Sequence, residues 1–259
     1  MFANPEGYER LMGRWSRRLA EPFIDFARIA DGDRVIDIGA GTGSLALAIG
    51  ARFKRCEIVG IDPVAAYVEY ARAHSSSARI RFDVGDGREL HFPDRSFDKA
   101  VALLVLHFVE EPRRAVAEMR RVTRPGGTVA ACGWEFSEGM TMSRLFWDTV
   151  VELDPEAEPQ HSRHAALGRQ GEHAALWRDC GLLDVEESEL AISMDFSDFD
   201  DFWSPYLAGA TPTSTYVAGL PADRRRTLEE TLRKRVLKGR PDRPFSLDAR
   251  AWAVRGVAP

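Results

Sequence analysis

The chain has 259 residues, of which 44% are hydrophobic and 29% charged, and its formal net charge is -5 at pH 7. This length allows one large domain or a domain with a sizeable insertion, and the composition is typical of a globular protein. The negative charge disfavours nucleic acid and anionic membranes as partners, and three widely spaced cysteines fit neither a disulfide framework nor a zinc site. We therefore expect a cytoplasmic protein without a secretion signal and without the apolar run of roughly 20 residues that a membrane span requires.

The first half of the chain alternates between strand and helix patterns. Its opening carries apolar residues at helical spacing, and Pro22 is expected to divide it into two helices. Strands are predicted at "RVIDIGA", "CEIVGID", "RIRFDVGD", a stretch that starts near Phe97, and "TVAACGW". Helices are predicted between them at "SLALAIGARF", "PVAAYVEYARAHS", with Pro63 in its first turn, and "EPRRAVAEMRRVT". Strands that alternate with helices form parallel sheets that helices cover on both faces.

The second half of the chain is less regular. Residues from about Glu135 to Gln170 show scattered helix signals and are predicted to form an insertion rather than an independent domain. Further helices are predicted at "EHAALWRDCG", "FDDFWSPYLA" and "PADRRRTLEETLRKRVL", and strands at "LDVEESELAISMDF" and "PFSLDARAWAVRGVA". One of these two strands is expected to run antiparallel at the edge of the sheet. The basic run in the last helix is interpreted as a solvated face, because Glu229 and Glu230 interleave with it.

Three glycines at alternate positions, Gly39, Gly41 and Gly43, follow the first predicted strand in "VIDIGAGTGSLALAIG". In a parallel sheet, ligands bind beyond the carboxyl ends of the strands, and glycines there allow positive φ and close approach of a ligand to the backbone. A nicotinamide-dinucleotide fingerprint would have its third glycine at position 44, which is Ser44. The loop departs from that fingerprint, and a plain tight turn is the alternative to a ligand-binding loop.

Acidic residues accompany the first three predicted strands. Asp62 closes the second strand, where a carboxylate can accept hydrogen bonds from both hydroxyls of a ribose. Asp86 and Gly87 follow the third strand, where a carboxylate can meet an adenine amino group. Asp37 lies just before the glycines and suits a cationic part of a ligand better than a phosphate. The alternatives are a helix N-cap for Asp62 and a simple turn for Asp86 and Gly87.

Four segments, "VIDIGAGTGSLA", "IVGIDPV", "VGDGRELHFPDRSFDKAVALLVLHFVEEP" and "EMRRVTRPGGTVAACGW", resemble successive motifs of class I S-adenosylmethionine-dependent methyltransferases. Within that class they are most similar to the branch that includes the ubiquinone and menaquinone C-methyltransferases, with a methyltransferase type 11 domain. The resemblance implies a Rossmann-like α/β fold with a seven-stranded, mostly parallel sheet, helices on both faces and an antiparallel last strand. It divides the chain into an N-terminal helical lid over 1–32, a cofactor-binding core over 33–135, a helical insertion after strand 5 over 136–170, and a C-terminal part with strands 6 and 7 over 171–259.

The resemblance also implies S-adenosylmethionine as the cofactor. Its predicted contacts are Asp37, Gly39, Ala40, Gly41, Gly43, Asp62, Pro63, Asp86, Gly87, Leu103, Tyr8, Met12 and Trp15. In this set Asp37 would order the amino group of the cofactor, Asp62 would hold the ribose hydroxyls, and Asp86 would face the adenine edge. The last three residues form one helical face, for which a lid over the cofactor and simple packing onto the core are both open.

Leu103 and His107 end the fourth predicted strand, so the resemblance implies that they lie near the sulfonium of the cofactor. His107 is the candidate general base, and packing against the cofactor is the alternative. His161 and His164 of the insertion are further candidates, for which a place on the surface is expected. No metal is predicted, because "LVLHF" and "ACGW" at the ends of the fourth and fifth strands offer almost no carboxylates.

The predicted function is transfer of a methyl group from S-adenosylmethionine to the oxygen, carbon or nitrogen of a small organic acceptor by in-line displacement. The acceptor is expected to be apolar or aromatic, because aromatic and methionine residues would form its wall: Met140, Met142, Phe146, Trp147, Trp203 and Tyr206. The alternatives are a non-catalytic S-adenosylmethionine-binding or interaction protein and an NAD-dependent oxidoreductase. We expect a monomer or a homodimer, with neither nucleic acid nor a membrane span involved.

Overall fold

The computed structural model describes residues 4–157, 167–208 and 212–259. Its framework is one sheet of seven strands in the order β3-β2-β1-β4-β5-β7-β6. The strands are β1 (Arg34–Ile38), β2 (Glu57–Asp62), β3 (Ile80–Val84), β4 (Phe97–Leu103), β5 (Thr123–Trp134), β6 (Leu183–Phe196) and β7 (Phe245–Val257). The first five strands pair in parallel, whereas β7 runs antiparallel to both of its neighbours, β5 and β6. The predicted mostly parallel sheet with an antiparallel last strand is confirmed.

Helices connect most of these strands. They are α1 (Pro5–Tyr8), α2 (Arg14–Phe26), α3 (Ser44–Arg52), α4 (Ala65–Ala73), α5 (Pro112–Val122), α6 (Thr141–Leu153), α7 (Glu172–Asp179), α8 (Phe199–Trp203), α9 (Pro212–Gly219) and α10 (Ala222–Leu237). A π-helical segment joins α1 to α2, and short 3₁₀ turns occur at Leu106–Phe108, Pro155–Ala157 and Ser204–Ala208. Helix α9 has no counterpart among the predicted helices. Pro63 was predicted in the first turn of α4, whereas this helix begins two residues later.

The hydrophobic core lies on both faces of the sheet. Successive side chains of a strand point to opposite faces, and β1 shows the division directly. Val35 belongs to the cluster that contains Phe23 of α2, whereas Ile36 belongs to the cluster that contains Met119 of α5 and Trp177 of α7. Both faces of the central strands are therefore buried, which explains their nearly continuous apolar sequences.

The order of the strands leaves a crevice beside β1. This strand pairs with β2 on one side and with β4 on the other. The chain leaves β1 toward β2 and β3, then returns to β4 and β5, so the loops after β1 and β4 lead in opposite directions. Such a switch point, at the carboxyl ends of the strands, is where open α/β sheets bind ligands.

Pro22 lies inside α2 and does not divide it, so the prediction of two helices was wrong. A proline in a helix interior removes one backbone hydrogen bond and crowds the carbonyl four residues earlier. The helix nevertheless continues because Leu19 and Phe23, on either side of the proline, are completely buried. Most helical stability in a folded protein comes from such packing, which here outweighs the local preference.

The segment after β5 forms α6, and an isolated bridge between Met140 and Ala249 ties its start to β7. His161 and His164 lie outside the described residues. In the part of the chain that the structure describes, no helix has both the length and the apolar character needed to cross a membrane.

Candidate functional site

A cleft of about 400 Å³ opens at the crevice beyond the carboxyl ends of β1, β2 and β4. Its walls come from the loop after β1, the end of β2, the turn after β3, the segment after β4, and Tyr8 of α1. These elements are far apart in the sequence, and the parallel sheet brings them together because its strands end at the same edge.

The loop after β1 adopts backbone conformations that its glycines permit. Gly39, Gly41 and Gly43 have φ of 68°, 55° and 91°, a region that other L-residues avoid. A Cβ atom on Gly39 would overlap the side chain of Val105, so this position excludes even a methyl group. The backbone N–H groups of Gly39 and Ala40 donate to the Ile61 carbonyl over 2.7 and 3.0 Å, which fixes the loop to the end of β2.

Asp62 fixes the same loop through its side chain. The residue is only 7% exposed, and its two carboxylate oxygens accept hydrogen bonds from the backbone N–H groups of Gly41 and Val64, each over 2.9 Å. Val64, not Asp62, is the N-cap of α4, so the capping alternative does not hold. Burial raises the pKa of Asp62, while both hydrogen bonds oppose the rise. Each oxygen has a second acceptor position, which leaves this carboxylate able to receive ligand hydroxyls.

Asp37 is the second buried carboxylate of the cleft, with an exposure of 1%. Burial, with a smaller contribution from the neighbouring Asp62 charge, raises the pKa of Asp37 to about 8. Among the described residues, its Oδ2 atom has no hydrogen-bond partner. An unpaired acid is costly to bury, and a cationic ligand group in the cleft would supply the missing partner.

The carboxylate of Asp86 is already paired with the guanidinium of Arg88. The Arg88 guanidinium donates to both carboxylate oxygens of Asp86 over 2.7–3.1 Å, and the Arg88 backbone N–H donates to one of them over 2.8 Å. Arg88 lowers the pKa of Asp86 through these bonds. The guanidinium also lies 3.5 Å from Glu110, which lines the cleft as Arg88 does. An adenine amino group could reach the carboxylate of Asp86 only by sharing or displacing Arg88.

The π-helical segment Glu9–Gly13 changes which residues of the N-terminal helices face the cleft. A π turn inserts one extra residue, so the helical face shifts by one position. As a result Ser16 lines the cleft and its hydroxyl lies 3.1 Å from the Tyr8 hydroxyl. Trp15, which a regular helix would align with Tyr8, instead packs against Phe196 with ring centroids 5.2 Å apart.

A second cavity of about 100 Å³ adjoins the cleft. Three residues, Tyr8, Leu104 and Phe108, line both spaces and form their junction. Leu104 has φ of 61°, a strained conformation for leucine of the kind that accumulates at functional sites. His107 and Met12 line the second cavity, together with aromatic and methionine residues of the β5 end and of α6: Trp134, Phe136, Met140, Met142 and Trp147.

The structure brings ten of the predicted cofactor residues together around the cleft: Tyr8, Asp37, Gly39, Ala40, Gly41, Asp62, Pro63, Asp86, Gly87 and Leu103. It does not bring Gly43, Met12 or Trp15 there. Gly43 is instead the N-cap of α3, where a Cβ would crowd Phe82. Of the predicted acceptor wall, Trp203 and Phe146 do not line the second cavity, whereas Tyr206 does.

Several residues around the cleft were missed by the sequence analysis: Ser16, Thr42, Tyr67, Arg88, Val105 and Glu110. Thr42 lies between two of the loop glycines, and Tyr67 follows Pro63 by about one helical turn, so spacing alone could have found both. Tyr67 also contacts Tyr8, with ring centroids 5.7 Å apart. Over the described ranges, no group of three or more His, Cys, Asp or Glu residues is arranged to hold a metal ion.

A mostly parallel sheet with a glycine loop and two buried acids at its switch point is a Rossmann-like fold of the kind that binds nucleoside-containing ligands beyond its strand ends. Residues 36–131 match the family model of the methyltransferase domain. Over these residues the chain is therefore similar to a methyltransferase domain, which confirms the resemblance of this segment to S-adenosylmethionine-dependent methyltransferases.

Curated relatives are similar to this domain over part of their length. The chain is 38% identical over 96 residues to a demethylmenaquinone methyltransferase of Deinococcus radiodurans, an alignment that covers 36% of this chain and 40% of that protein. It is 31% identical over 137 residues to the uncharacterized methyltransferase YcgJ of Bacillus subtilis, with 52% of each chain covered. The matched regions thus span about half or less of these relatives.

Solved structures extend the similarity in fold to nearly the whole chain. The crystal structure of YcgJ has a TM-score of 0.60 at 21% identity and covers 93% of this chain and 97% of that one. A phosphoethanolamine N-methyltransferase 2 of Haemonchus contortus, in complex with phosphomonomethylethanolamine and S-adenosylhomocysteine, has a TM-score of 0.61 at 16% identity and covers 98% of this chain and 57% of that one. At these identities the likeness shows the shared fold.

Gly39→Ala tests whether the loop after β1 requires a residue without a side chain at position 39. Gly32→Ala is the matched control, because Gly32 also has positive φ but open space around it. Backbone strain should cost each variant about 1–2 kcal/mol of unfolding free energy, and Gly39→Ala should lose more because its methyl group overlaps Val105. Only Gly39→Ala should also weaken S-adenosylhomocysteine binding, by tenfold or more, because its methyl group displaces Val105 at the cleft. Calorimetric titration and thermal unfolding measure the two effects, and equal affinities of the two variants would contradict this role of the loop.

The pKa of Asp37 predicts a linkage between ligand binding and protons. A folded-state pKa near 8 lies above the ordinary value, so protonated Asp37 contributes stability that is lost as pH rises from about 4 through 8. A ligand ammonium favours the ionised form, so binding of S-adenosylmethionine at pH 6 should release close to one proton. Titration calorimetry in two buffers of different ionisation enthalpy measures this number. In Asp37→Asn the release should vanish; an unchanged release would show that another group is responsible.

Proposed function

We propose that the protein transfers the methyl group of S-adenosylmethionine to an oxygen, carbon or nitrogen atom of a small, apolar or aromatic organic acceptor, by in-line displacement and without a metal. The observation that carries the proposal is the junction of two spaces: a cleft that contains the unpartnered carboxylate oxygen of Asp37 meets a largely aromatic cavity at Tyr8, Leu104 and Phe108.

The acids and the loop of the cleft fit the parts of this cofactor. The unpartnered oxygen of Asp37 suits the cofactor's ammonium, and the remaining acceptor positions of Asp62 suit the ribose hydroxyls. The bare backbone at Gly39 and Gly41 allows close approach of the ligand. The turn at Asp86 and Gly87 would face the adenine edge, with Arg88 moving aside or stacking near it.

The bound cofactor supplies an electrophilic methyl group, so the protein's own task is to position the acceptor and exclude water. Tyr8 and Phe108 at the junction would orient the acceptor, while the buried aromatic residues of the second cavity keep it dry. His107 lines this cavity and is the candidate base for an acceptor that carries a proton, a role that typically contributes about 10²–10⁴-fold to the rate.

The four regions of the chain have different proposed roles. The N-terminal region 1–32 would act as a lid, 33–135 would bind the cofactor, and 136–170 would contribute a wall of the acceptor site. The part over 171–259 would complete the same fold with β6 and β7. The lid is held in place by Arg14, whose guanidinium lies 2.8 Å from a carboxylate oxygen of Asp201 in α8.

Substitution of Asp62 tests the proposed cofactor. Wild-type protein should bind S-adenosylmethionine and S-adenosylhomocysteine with micromolar affinity in calorimetry and should not bind NAD. Asp62→Ala removes a charged partner of the ribose and loosens the loop, so its affinity should fall on the order of 100-fold, whereas Asp62→Asn should fall less.

Transfer of a labelled methyl group to a panel of small aromatic compounds then separates an enzyme from a binding protein. Transfer that disappears in Asp62→Ala would support the proposal. Binding of NAD instead of the sulfur ligands would point to an oxidoreductase, and cofactor binding without transfer to any acceptor would point to a non-catalytic binding protein.

A further inference from the structure

The second cavity is lined by aromatic, aliphatic, methionine and hydroxyl-bearing side chains and by the imidazole of His107. Of the described residues around it, none is an aspartate, glutamate, lysine or arginine. A cationic ligand group in such a place would lose its hydration without gaining a carboxylate partner. The cavity therefore disfavours an ammonium group within it, and its volume of about 100 Å³ matches a single small ring.

Two buried hydrogen-bond donors in the cavity wall are not satisfied. Trp134 at the end of β5 is 3% exposed and Tyr206 is 1% exposed, and both line the cavity. Neither the Trp134 Nε1–H nor the Tyr206 hydroxyl has a hydrogen-bond partner within the described part of the chain. Burial raises the pKa of Tyr206, so its hydroxyl keeps its proton at neutral pH. Buried donors without partners are costly, and native proteins satisfy nearly all of them.

Both groups can donate a hydrogen bond, and this property distinguishes between two kinds of ligand. An indole N–H can only donate, and an ammonium group also can only donate. An aromatic wall could attract a cation through its ring faces, but it would leave the Trp134 donor unsatisfied. An oxygen that accepts hydrogen bonds is the kind of ligand atom that can satisfy these donors. The arrangement therefore favours an acceptor molecule that carries an oxygen over one that carries an ammonium group.

From this we infer that the methyl acceptor presents a single ring without an ammonium group to the cavity, and that the ring carries an oxygen which accepts hydrogen bonds from Trp134 and Tyr206. The inference rests on the proposed function, because it assigns the second cavity to the acceptor. Trp134 and Tyr206 are then positioning residues: they hold the ring oxygen and so fix which ring atom faces the junction at Leu104 and Phe108.

Ligand-detected NMR titrations with phenol and toluene test the inference. The two probes have similar shape, but only phenol carries an oxygen. In Tyr206→Phe and Trp134→Phe the affinity for phenol should fall about five- to tenfold, the effect of one lost neutral hydrogen bond, while the affinity for toluene stays within twofold. Benzylammonium, the cationic probe, should bind at least tenfold more weakly than phenol to the wild type.

Toluene is the internal control for packing. Equal losses for phenol and toluene would mean that the two residues only shape the cavity, and unchanged phenol affinity would mean that they do not contact the oxygen; either result overturns the inference. Tighter binding of benzylammonium than of phenol would overturn it in favour of an amine acceptor. Circular dichroism confirms that the variants fold.

Titrations with and without S-adenosylhomocysteine keep this test separate from that of the proposed function. Failure of the wild type to bind S-adenosylhomocysteine in calorimetry would contradict the proposed cofactor. The phenol measurements would still be interpretable. Normal cofactor binding without a selective loss of phenol affinity in the variants would contradict only the assignment of the acceptor.

Discussion

The candidate site depends on how the end of β2 holds the loop after β1. The carbonyl of Ile61 accepts two backbone hydrogen bonds from this loop, and the buried carboxylate of Asp62 accepts another from Gly41. These bonds hold glycines at positive φ above the switch point of the sheet. The same carboxylate also binds the start of the segment that leads into α4. One acidic side chain thereby fixes two walls of the cleft and still has acceptor positions for a ligand.

The second constraint is the short distance between the cleft and the aromatic cavity. They share residues from α1 and from the segment after β4, where Leu104 has a backbone conformation that leucine rarely adopts. The N-terminal helices that carry Tyr8 are tied to the region around Tyr206: Arg14 pairs with Asp201, and the Asn4 side chain donates to the carbonyl of Ala208. Movement of these helices would therefore affect both spaces at once.

Much of the fold could be predicted because alternating strands and helices have strong local signatures. The seven strands, the antiparallel β7 and most helices follow from apolar runs, helical spacing and stop signals such as Gly181. The failures arise where packing outweighs local preference. Pro22 remains inside α2 because the helix buries residues on both sides of it, and α9 has no pronounced apolar face that would identify it.

The site was predictable to the extent that it follows the strand ends. Asp37, Asp62, Gly39 and Gly41 lie at positions that the sheet must bring together, whereas Gly43 begins α3 instead. The contribution of the N-terminal helices could not be read from spacing, because the π-helical segment shifts the face from Trp15 to Ser16. Arg88 was missed for a different reason: its bond to Asp86 is a local side-chain contact that no periodicity reveals.

A crystal structure of the protein with S-adenosylhomocysteine tests the central claim most directly. The account predicts that the ligand fills the cleft, with its ammonium at Asp37, its ribose hydroxyls at Asp62 and its sulfur at the junction of Tyr8, Leu104 and Phe108, facing the aromatic cavity. A ligand bound elsewhere, or one whose sulfur faces away from this junction, would contradict the account.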